Sequence, residues 1–256
     1  MKELIYSILR YEPSIVSGEI INLGAAFYYP EEDYREFYFI TKWNRVAAFD
    51  DTLNIPLMKD LMLDIRDAMG TAIDTPNFNI KKFCMKYNSE LYFDTCLSFT
   101  DVRPEEVPSY IEEIKKMYFQ FEYDVANRPN NDEQKKFLRR LLVAKRICYI
   151  RNSQQAGSYG DIITYDYTFG DYGVVFINLN NDKIDNKTMN KVRAWAWNAK
   201  NGADRYKLIV LYDLEDENRG AVQPALSILR ATAHRVINIH NGFNDVLSML
   251  DECAAV

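Results

Sequence analysis

Short apolar segments, separated by prolines and polar turns, organise the first hundred residues of the chain. These segments are rich in β-branched and aromatic side chains, which favour strands. Pro13 and Pro30 close the first two, because proline cannot donate to a sheet ladder. The connections are short, which favours an antiparallel meander. The predicted strands are residues 3–11, 19–29, 35–41 and 90–100.

Two helices are predicted in the same half of the chain. Between residues 56 and 69, apolar side chains recur every four positions and define one helix face. They are Leu57, Leu61, Ile65 and Met69. Pro104 opens a second, longer helix, and Glu105 and Glu106 lie favourably at the positive end of its dipole. The first half is therefore predicted to be α+β, with a mainly antiparallel sheet.

The second half alternates helical and strand segments. The predicted helices are residues 131–149, 186–199, 221–233 and 243–252, and the predicted strands are residues 161–169, 173–179, 206–212 and 235–239. Residues 170–172 form a predicted hairpin turn, and Gly202 is predicted to end a helix. The continuous apolar run at 206–212 is typical of a central strand buried on both faces. This order predicts an α/β sandwich with a mixed sheet.

The charge of the chain is divided unevenly along its length. Residues 1–126 contain 13 Lys/Arg and 22 Asp/Glu, residues 127–152 contain 8 and 2, and residues 153–256 contain 10 and 13. We therefore predict an acidic domain, a basic connecting helix and a mildly acidic domain with these boundaries. Because phosphate repels the acidic half, any contact with nucleic acid is expected to be local.

The composition excludes several classes of protein. With 48% hydrophobic and 27% charged residues, the chain is neither disordered nor collagen-like, and it contains no apolar run long enough to cross a bilayer. Charged residues near the start argue against a signal peptide, so a cytoplasmic protein without membrane contact is expected. No GxxxxGK[ST], GxGxxG or GxSxG motif occurs, and no cofactor is predicted.

Cysteine and histidine are sparse, with four and two residues respectively. Cys84, Cys96, Cys148 and Cys253 are scattered in apolar contexts and are predicted to be buried thiols. His234 and His240 flank the predicted strand 235–239, and surface or capping roles are favoured over a metal site. No metal site is predicted.

The N-terminal sequence carries one specific signature. Within YSILRYEPSIVSGEIINLGAAFYYP, an Arg-aromatic-x-Pro step, a Gly-Glu pair and an Asn-x-Gly follow in order. The residues that form it are Tyr6, Arg10, Tyr11, Pro13, Gly18, Glu19, Asn22 and Gly24. This segment resembles the opening of the prokaryotic domain-of-unknown-function family 3037. Residues 137–146, 163–169 and 192–200 are similar to features of its longer members. The resemblance implies a prokaryotic, phage or mobile-element setting, often beside HipA-like kinases, and it assigns no catalytic residue.

Physical roles can be suggested for the signature residues. Gly18 and Gly24 are expected at a turn and a bulge respectively, with positive φ or close packing. Arg10 and Glu19 are predicted to pair across the sheet, and Asn22 to satisfy a nearby turn. These residues are interpreted mainly as sheet-register determinants, with a partner- or anion-binding site around Arg10 as the alternative.

The order helix, hairpin, helix and strand in the second half is also the order of a restriction-nuclease-like core. Such a nuclease needs carboxylates and a lysine around a divalent metal. Asp161 and Asp166 are the candidate metal ligands if the chain is a nuclease, but the next strand offers Asn178 and Asn180 where an acidic residue and a lysine are required. Three alternatives remain open: an active nuclease core, a degenerate nuclease core that has lost its catalytic residues, and an unrelated α/β arrangement. The degenerate core is favoured over the active one.

The basic helix has two interpretations. Seven cations occur in 17 residues without an intervening acid: Lys135, Lys136, Arg139, Arg140, Lys145, Arg146 and Arg151. Either they face the acidic N-terminal half, or they form a phosphate-contacting patch. On a third helix, Trp195 and Trp197 point about 200° apart, so one is expected in the core and the other at an interface.

Together these features favour a protein without catalytic residues that binds another macromolecule. A protein partner is expected, nucleic acid is a second candidate through the basic helix, and a regulatory, toxin–antitoxin or phage–host conflict role is implied by the family. The alternative is a metal-dependent nuclease or a nucleic-acid-binding protein, and a nucleic-acid mimic formed by the acidic half is a third hypothesis.

Overall fold

The structure is a computed structural model that describes residues 2–14, 16, 19–71, 78–157, 161–179, 184–201, 206–214, 217, 220–240 and 242–254. Its contacts divide the chain into two compact units, Met1–Arg128 and Pro129–Val256. The chain is α+β, with an antiparallel sheet in the first unit and a mixed sheet in the second, as the sequence predicts. No helix in these described ranges is long and apolar enough to cross a membrane.

Five strands form the sheet of the first unit. They are β1 (Glu3–Tyr11), β2 (Ile21–Tyr29), β3 (Tyr34–Phe39), β4 (Leu91–Phe93) and β5 (Leu97–Thr100). Their order is β3-β2-β1-β4, and β5 also pairs with β1. All the pairings are antiparallel, so the predicted meander of β1, β2 and β3 is confirmed.

One predicted strand is divided in two. The β4 strand pairs with the end of β1 and β5 with its beginning, while residues 94–96 between them leave the ladder. Their side chains are partly or fully exposed, whereas Leu97 is buried. The sequence of residues 90–100 is strand-like throughout, so it gives no indication of this break.

The predicted bulge at Gly24 is present. Leu9 pairs with Gly24 but Arg10 pairs with Asn22, so one residue of β2 is left over and the register shifts. A Cβ on Gly24 would lie 2.6 Å from the backbone oxygen of Tyr38, closer than packed atoms approach each other. Gly24 is therefore required by close strand packing. Gly18, the other predicted special position, lies outside the described residues.

Four helices complete the first unit: α1 (Asn44–Phe49), α2 (Ile55–Thr71), α3 (Ile80–Cys84) and α4 (Val107–Tyr118). A 3₁₀ turn (Pro104–Glu106) precedes α4. Helix α2 contacts β3, and its buried residues are Met58, Met62, Ile65 and Met69. Leu57 and Leu61, predicted on the buried face, are 66% and 36% exposed, because the buried stripe runs through residues 58, 62, 65 and 69.

The second unit contains a five-stranded mixed sheet. Its strands are β6 (Ile150–Ala156), β7 (Ile162–Phe169), β8 (Tyr172–Asn178), β9 (Lys207–Asp213) and β10 (Arg235–Asn238). The order is β10-β9-β8-β7-β6, with β8, β9 and β10 parallel and β6, β7 and β8 antiparallel. Strand β9 is central and buried along most of its length, as its apolar run predicts.

Helices cover both faces of this sheet. They are α5 (Asn131–Ala144), α6 (Asn186–Asn201), α7 (Gln223–Thr232) and α8 (Asn244–Ala254). One core joins α6 and α7 to alternate residues of the strands, among them Val175 and Val210. Helix α5 contacts β8, and the ring centroid of its Phe137 lies 5.1 Å from that of Phe243, next to α8. The α/β sandwich predicted for this half is therefore present.

The predicted basic helix 131–149 is too long. Helix α5 ends at Ala144, and Arg146 then adopts a left-handed φ of 57°. The chain turns into β6, which the sequence does not predict because its residues, such as Ser153 and Gln154, are mostly polar. Strand β6 lies at the sheet edge with mostly exposed side chains, so it lacks the apolar pattern of the buried strands. Gly202, the predicted end of α6, lies outside the described residues.

Candidate functional site

Helix α5 presents a basic surface because its other face is buried. Asn130 caps it by accepting hydrogen bonds from the amides of Asp132 and Glu133, and Glu133 completes the capping box. The buried face consists of Gln134, Phe137, Leu138, Leu141 and Leu142. This burial fixes the rotation of the helix. It directs Lys135, Lys136 and Arg139 towards the neighbouring strands, where they line a cavity.

The cavity has a volume of about 390 Å³ and lies between α5, β6 and β7. We call it the basic cavity. Four cations line it together with two carboxylates, one amide and one phenol: Lys135, Lys136, Arg139, Arg151, Asp132, Asp166, Asn152 and Tyr167. Arg151 and Asn152 come from β6, the strand that the sequence does not predict, so the helix alone indicates only part of this surface. A concave wall with an excess of cations attracts anions.

Asp166 holds the floor of the basic cavity in place. The regular β7–β8 ladder ends at the pair Tyr167–Val174. Beyond it, Oδ2 of Asp166 accepts a hydrogen bond from the amide of Phe176 at 2.8 Å. Its Oδ1 lies 2.7 Å from Nζ of Lys135. Asp166 therefore has a structural role, joining α5, β7 and β8.

Three of the four cations form no ion pair within the part of the chain that the structure describes. Lys135 is paired with Asp166, whereas the structure gives no ion pair for Lys136, Arg139 or Arg151. Tyr167 donates a hydrogen bond to the backbone oxygen of Lys135 at 2.8 Å, and its ring packs against Tyr149. Burial raises the pKa of Tyr167, although Arg151 and Arg139 oppose the shift. The phenol therefore stays neutral among these cations at physiological pH.

A third lysine near this floor belongs to α6. Nζ of Lys191 donates to the backbone oxygen of Phe176 at 3.2 Å. Partial burial lowers the pKa of Lys191, an effect that the charge of Asp166 opposes and that of Lys135 reinforces. Asp166 therefore pairs directly with Lys135 of α5, and its charge also acts on Lys191 of α6.

The remaining predicted basic residues lie elsewhere. Arg140 is half-buried and does not line the basic cavity. Lys145 is paired with Asp251 of α8 at 2.5 Å, and Arg146 is exposed beyond the helix end. The seven cations therefore do not act as one patch. Lys145, Arg146 and Arg151 follow the end of α5. Of these three, Arg151 lies with the helix cations in the basic cavity, because β6 folds back beside α5.

The structure does not bring Asp161 and Asp166 together. They are five residues apart along the β7 segment, which corresponds to roughly 17 Å at about 3.4 Å per strand residue. Asp161 is exposed at the strand start, where its carboxylate lies against Gly157. Within the described ranges, no group of three His, Cys, Asp or Glu side chains is arranged to hold a metal ion. Asn180, which stands where such a nuclease requires a lysine, lies outside those ranges.

The signature residues of the first unit have structural partners. Arg10, 8% exposed, forms an ion pair with Asp94 on the segment between β4 and β5. Nδ2 of Asn22 donates to the backbone oxygen of Tyr118 at 3.3 Å. Glu19 precedes β2 and is exposed. The sequence predicts Glu19 as the partner of Arg10, but Asp94 occupies one side of the guanidinium. Asp94 is within reach because Arg10 lies opposite Tyr92, close to the end of β4.

The two tryptophans of α6 differ as predicted. Trp195 is 9% exposed, and its ring centroid lies 5.3 Å from that of Tyr165 in the core. Trp197 is 49% exposed. A half-exposed tryptophan is a suitable anchor for a protein interface.

Two polar networks at the carboxyl ends of the parallel strands were not predicted. Asp213 accepts a hydrogen bond from Nε2 of Gln134 at 2.6 Å, and its other oxygen lies 2.5 Å from Nδ1 of His240. His240 is 3% exposed, so the predicted surface or capping role is wrong for it. Only the position of Asp213 at the end of an apolar run could have indicated this network.

Glu217 is the centre of the second network. Its carboxylate accepts hydrogen bonds from Tyr212, Asn238 and Arg230. Burial alone would raise the pKa of Glu217, but these three donors outweigh it and lower the pKa below the ordinary value for glutamate. The carboxylate therefore links β9, β10 and α7.

Residues 6–104 match a family described as "Protein of unknown function (DUF3037)", which confirms the predicted resemblance for that part of the chain. The three later segments that resemble longer members lie outside the matched residues. Comparison with curated proteins and with solved structures finds no match for this chain.

Proposed function

We propose, on the premise that residues 6–104 form a domain of a family without an assigned activity, that this chain is a binding protein without a catalytic step of its own. Its second unit binds the phosphate groups of nucleic acid in the basic cavity. We extend the proposal to a regulatory role in a prokaryote, phage or mobile element, which is the setting that the resemblance of the N-terminal segment implies.

One observation carries this proposal: three cations without an ion pair in the described structure, from two different elements, line one concave surface. Lys136 and Arg139 come from α5 and Arg151 from β6. Arginine guanidinium groups suit phosphate oxygens because their donors form a planar fork, and each neutralised phosphate releases counterions. Tyr167 adds a phenol and a ring beside these groups. Nucleic acid presents successive phosphates, which match several cations along one wall.

The proposal is tested by binding of a fluorescently labelled duplex and of a single strand, measured by anisotropy at one fixed salt concentration. The variant Lys136→Gln/Arg139→Gln/Arg151→Gln should lose most of the affinity of the wild type. Lys200→Gln, an exposed position on α6 outside the cavity, should not change it. Equal loss in both variants would remove the basic cavity from the proposal.

Metal-dependent cleavage of nucleic acid is the competing function. It is favoured by the order of elements along the chain, which is similar to that of a restriction-nuclease-like core: α5, the antiparallel strands β6–β8, α6 and the parallel strand β9. The engagement of both Asp166 oxygens and the distance to Asp161 count against it. We expect intact substrates after incubation with Mg²⁺ or Mn²⁺. Cleavage that disappears in Asp166→Ala would replace the binding proposal with a nuclease.

A further inference from the structure

A second cavity lies in the first unit, beside the segment that separates β4 from β5. Its volume is about 710 Å³. It opens where residues 94–96 leave the sheet, and it contains two cysteines from different elements. Cys84 ends α3, and Cys96 precedes β5. Their juxtaposition depends on the break in the strand, because in a continuous strand residue 96 would pair within the ladder.

Cys84 and Cys96 are side-chain neighbours that act as hydrogen-bond partners of each other, and the hydroxyl of Ser7 lies beside both. Ser7 is buried and itself donates to the backbone oxygen of Asp94, which fixes the segment that carries Cys96. Arg10 pairs with the Asp94 side chain on the same segment. The signature residue Arg10 therefore helps to position the cysteine pair.

The surroundings make the two cysteines chemically different. Cys84 is 5% exposed, whereas Cys96 is partly exposed at the cavity wall. Cys148 is exposed, so the prediction of buried thiols is confirmed for Cys84 and wrong for Cys148. The hydrogen bond to Cys96, together with burial, raises the pKa of Cys84. The hydrogen bond from Cys84 lowers the pKa of Cys96 against the effect of burial, and the charge of Lys81 and the Ser7 hydroxyl lower it further. Thiolate, rather than thiol, is the nucleophile in cysteine chemistry.

We propose that Cys84 and Cys96 form an oxidisable dithiol, in which Cys96 reacts with a hydroperoxide and Cys84 resolves the product as a disulfide. The Cys96 thiolate attacks one oxygen of hydrogen peroxide, the O–O bond breaks, and hydroxide leaves, so that Cys96 becomes a sulfenic acid. The Cys84 sulfur then attacks the Cys96 sulfur. The Cys84 proton and the sulfenic hydroxyl leave together as water. Two thiols are oxidised by two electrons, and one peroxide is reduced.

The disulfide would join α3 to the segment before β5 and alter the shape of the cavity between them. A dithiol reductant reverses the reaction by thiol–disulfide exchange. The inference is independent of the basic cavity, because every residue that it uses lies in the first unit.

The test treats the reduced full chain with hydrogen peroxide, alkylates the remaining thiols and maps disulfides by mass spectrometry without reduction. Trypsin cleaves after Lys82 and Lys86, so the bond would link the short peptide that contains Cys84 to the peptide that contains Cys96. We expect this crosslink in the wild type and in Cys148→Ser, and its loss in Cys84→Ser and Cys96→Ser. Cys148 is the internal control, because it is the more exposed thiol.

Two further measurements test the roles of the two cysteines, and the second keeps the proposal testable if a cysteine variant folds poorly. In Cys84→Ser, a sulfenic acid should accumulate on Cys96 and be trapped by dimedone. In Lys81→Gln, with both cysteines intact, alkylation of Cys96 at neutral pH should slow, whereas alkylation of Cys148 should keep its rate. The proposal is overturned if Cys84 and Cys96 both remain alkylatable after peroxide treatment, or if Cys148 is oxidised before Cys96.

Discussion

The salt dependence of nucleic-acid affinity gives a quantitative test of the basic cavity. Three cations lining it have no ion pair in the described structure, Lys136, Arg139 and Arg151, while Lys135 is already compensated by Asp166. If each of the three neutralises one phosphate of a duplex, the slope of log Kobs against log[salt] is about −2.7, since each phosphate contributes about −0.9. A fourfold rise in salt, from about 50 to about 200 mM, then weakens binding about 40-fold.

Removing one of these charges should change the slope as well as the affinity. Lys136→Gln leaves two contacts and a slope of about −1.8, so the same rise in salt weakens binding only about 12-fold. Lys200→Gln has the same change of net charge but lies outside the basic cavity, and it should keep the wild-type slope.

The assay is a titration of labelled duplex followed by anisotropy at four or more salt concentrations, with wild type and both variants measured in parallel. The reasoning would be refuted if Lys136→Gln and Lys200→Gln shifted the slope equally. In that case the affinity would come from the general charge of the protein and not from this surface.

Three further predictions concern stability. Gly24→Ala places a Cβ 2.6 Å from a backbone oxygen of β3 and should lower the free energy of unfolding, measured with urea, by about 1–3 kcal/mol. Gly70→Ala is the control, because a Cβ there has nothing within 4 Å, and it should leave this free energy unchanged or raise it. Equal effects of the two variants would contradict this account. Arg10→Met leaves the partly buried Asp94 carboxylate without its ion-pair partner and should cost about 1–3 kcal/mol. A second change, Asp94→Leu, should recover part of this loss, and additive losses would show that the two residues are not coupled. The pKa of Glu217 is lower in the folded than in the unfolded protein, so its carboxylate stabilises the fold fully above the unfolded pKa, and this stabilisation is lost as pH falls through the folded pKa. Glu217→Gln should therefore remove this part of the loss of stability in acid. An unchanged dependence of the free energy of unfolding on pH would contradict the prediction.

Much of the fold follows from periodicity. Strand β1 occupies the predicted residues 3–11, and the apolar run of β9 indicates its central position before any pairing is known. Both signals come from burial, which selects apolar side chains locally. Strand β6 gives no such signal, because its side chains are mostly polar and exposed, so burial selects no apolar pattern along it.

The candidate sites were only partly predictable for a related reason. The cations of α5 are visible in the sequence, but their grouping depends on where the helix ends and on Arg151 of β6. The cysteine pair depends on a break in the strand around Cys96, which brings it to Cys84, twelve residues earlier in the chain. The sequence makes Asp166 a candidate metal ligand, whereas its contacts give it a structural role. Long-range contacts decide each of these outcomes.

The most direct test of the central claim is to observe which arginine side chains a bound nucleic acid touches. In NMR spectra of the full chain, the side-chain Nε–H signals of the arginines can be followed during titration with a short unlabelled duplex. The account predicts shifts for Arg139 and Arg151, which line the basic cavity, and unchanged signals for Arg66 and Arg103 of the first unit. Shifts confined to arginines outside the basic cavity would contradict it.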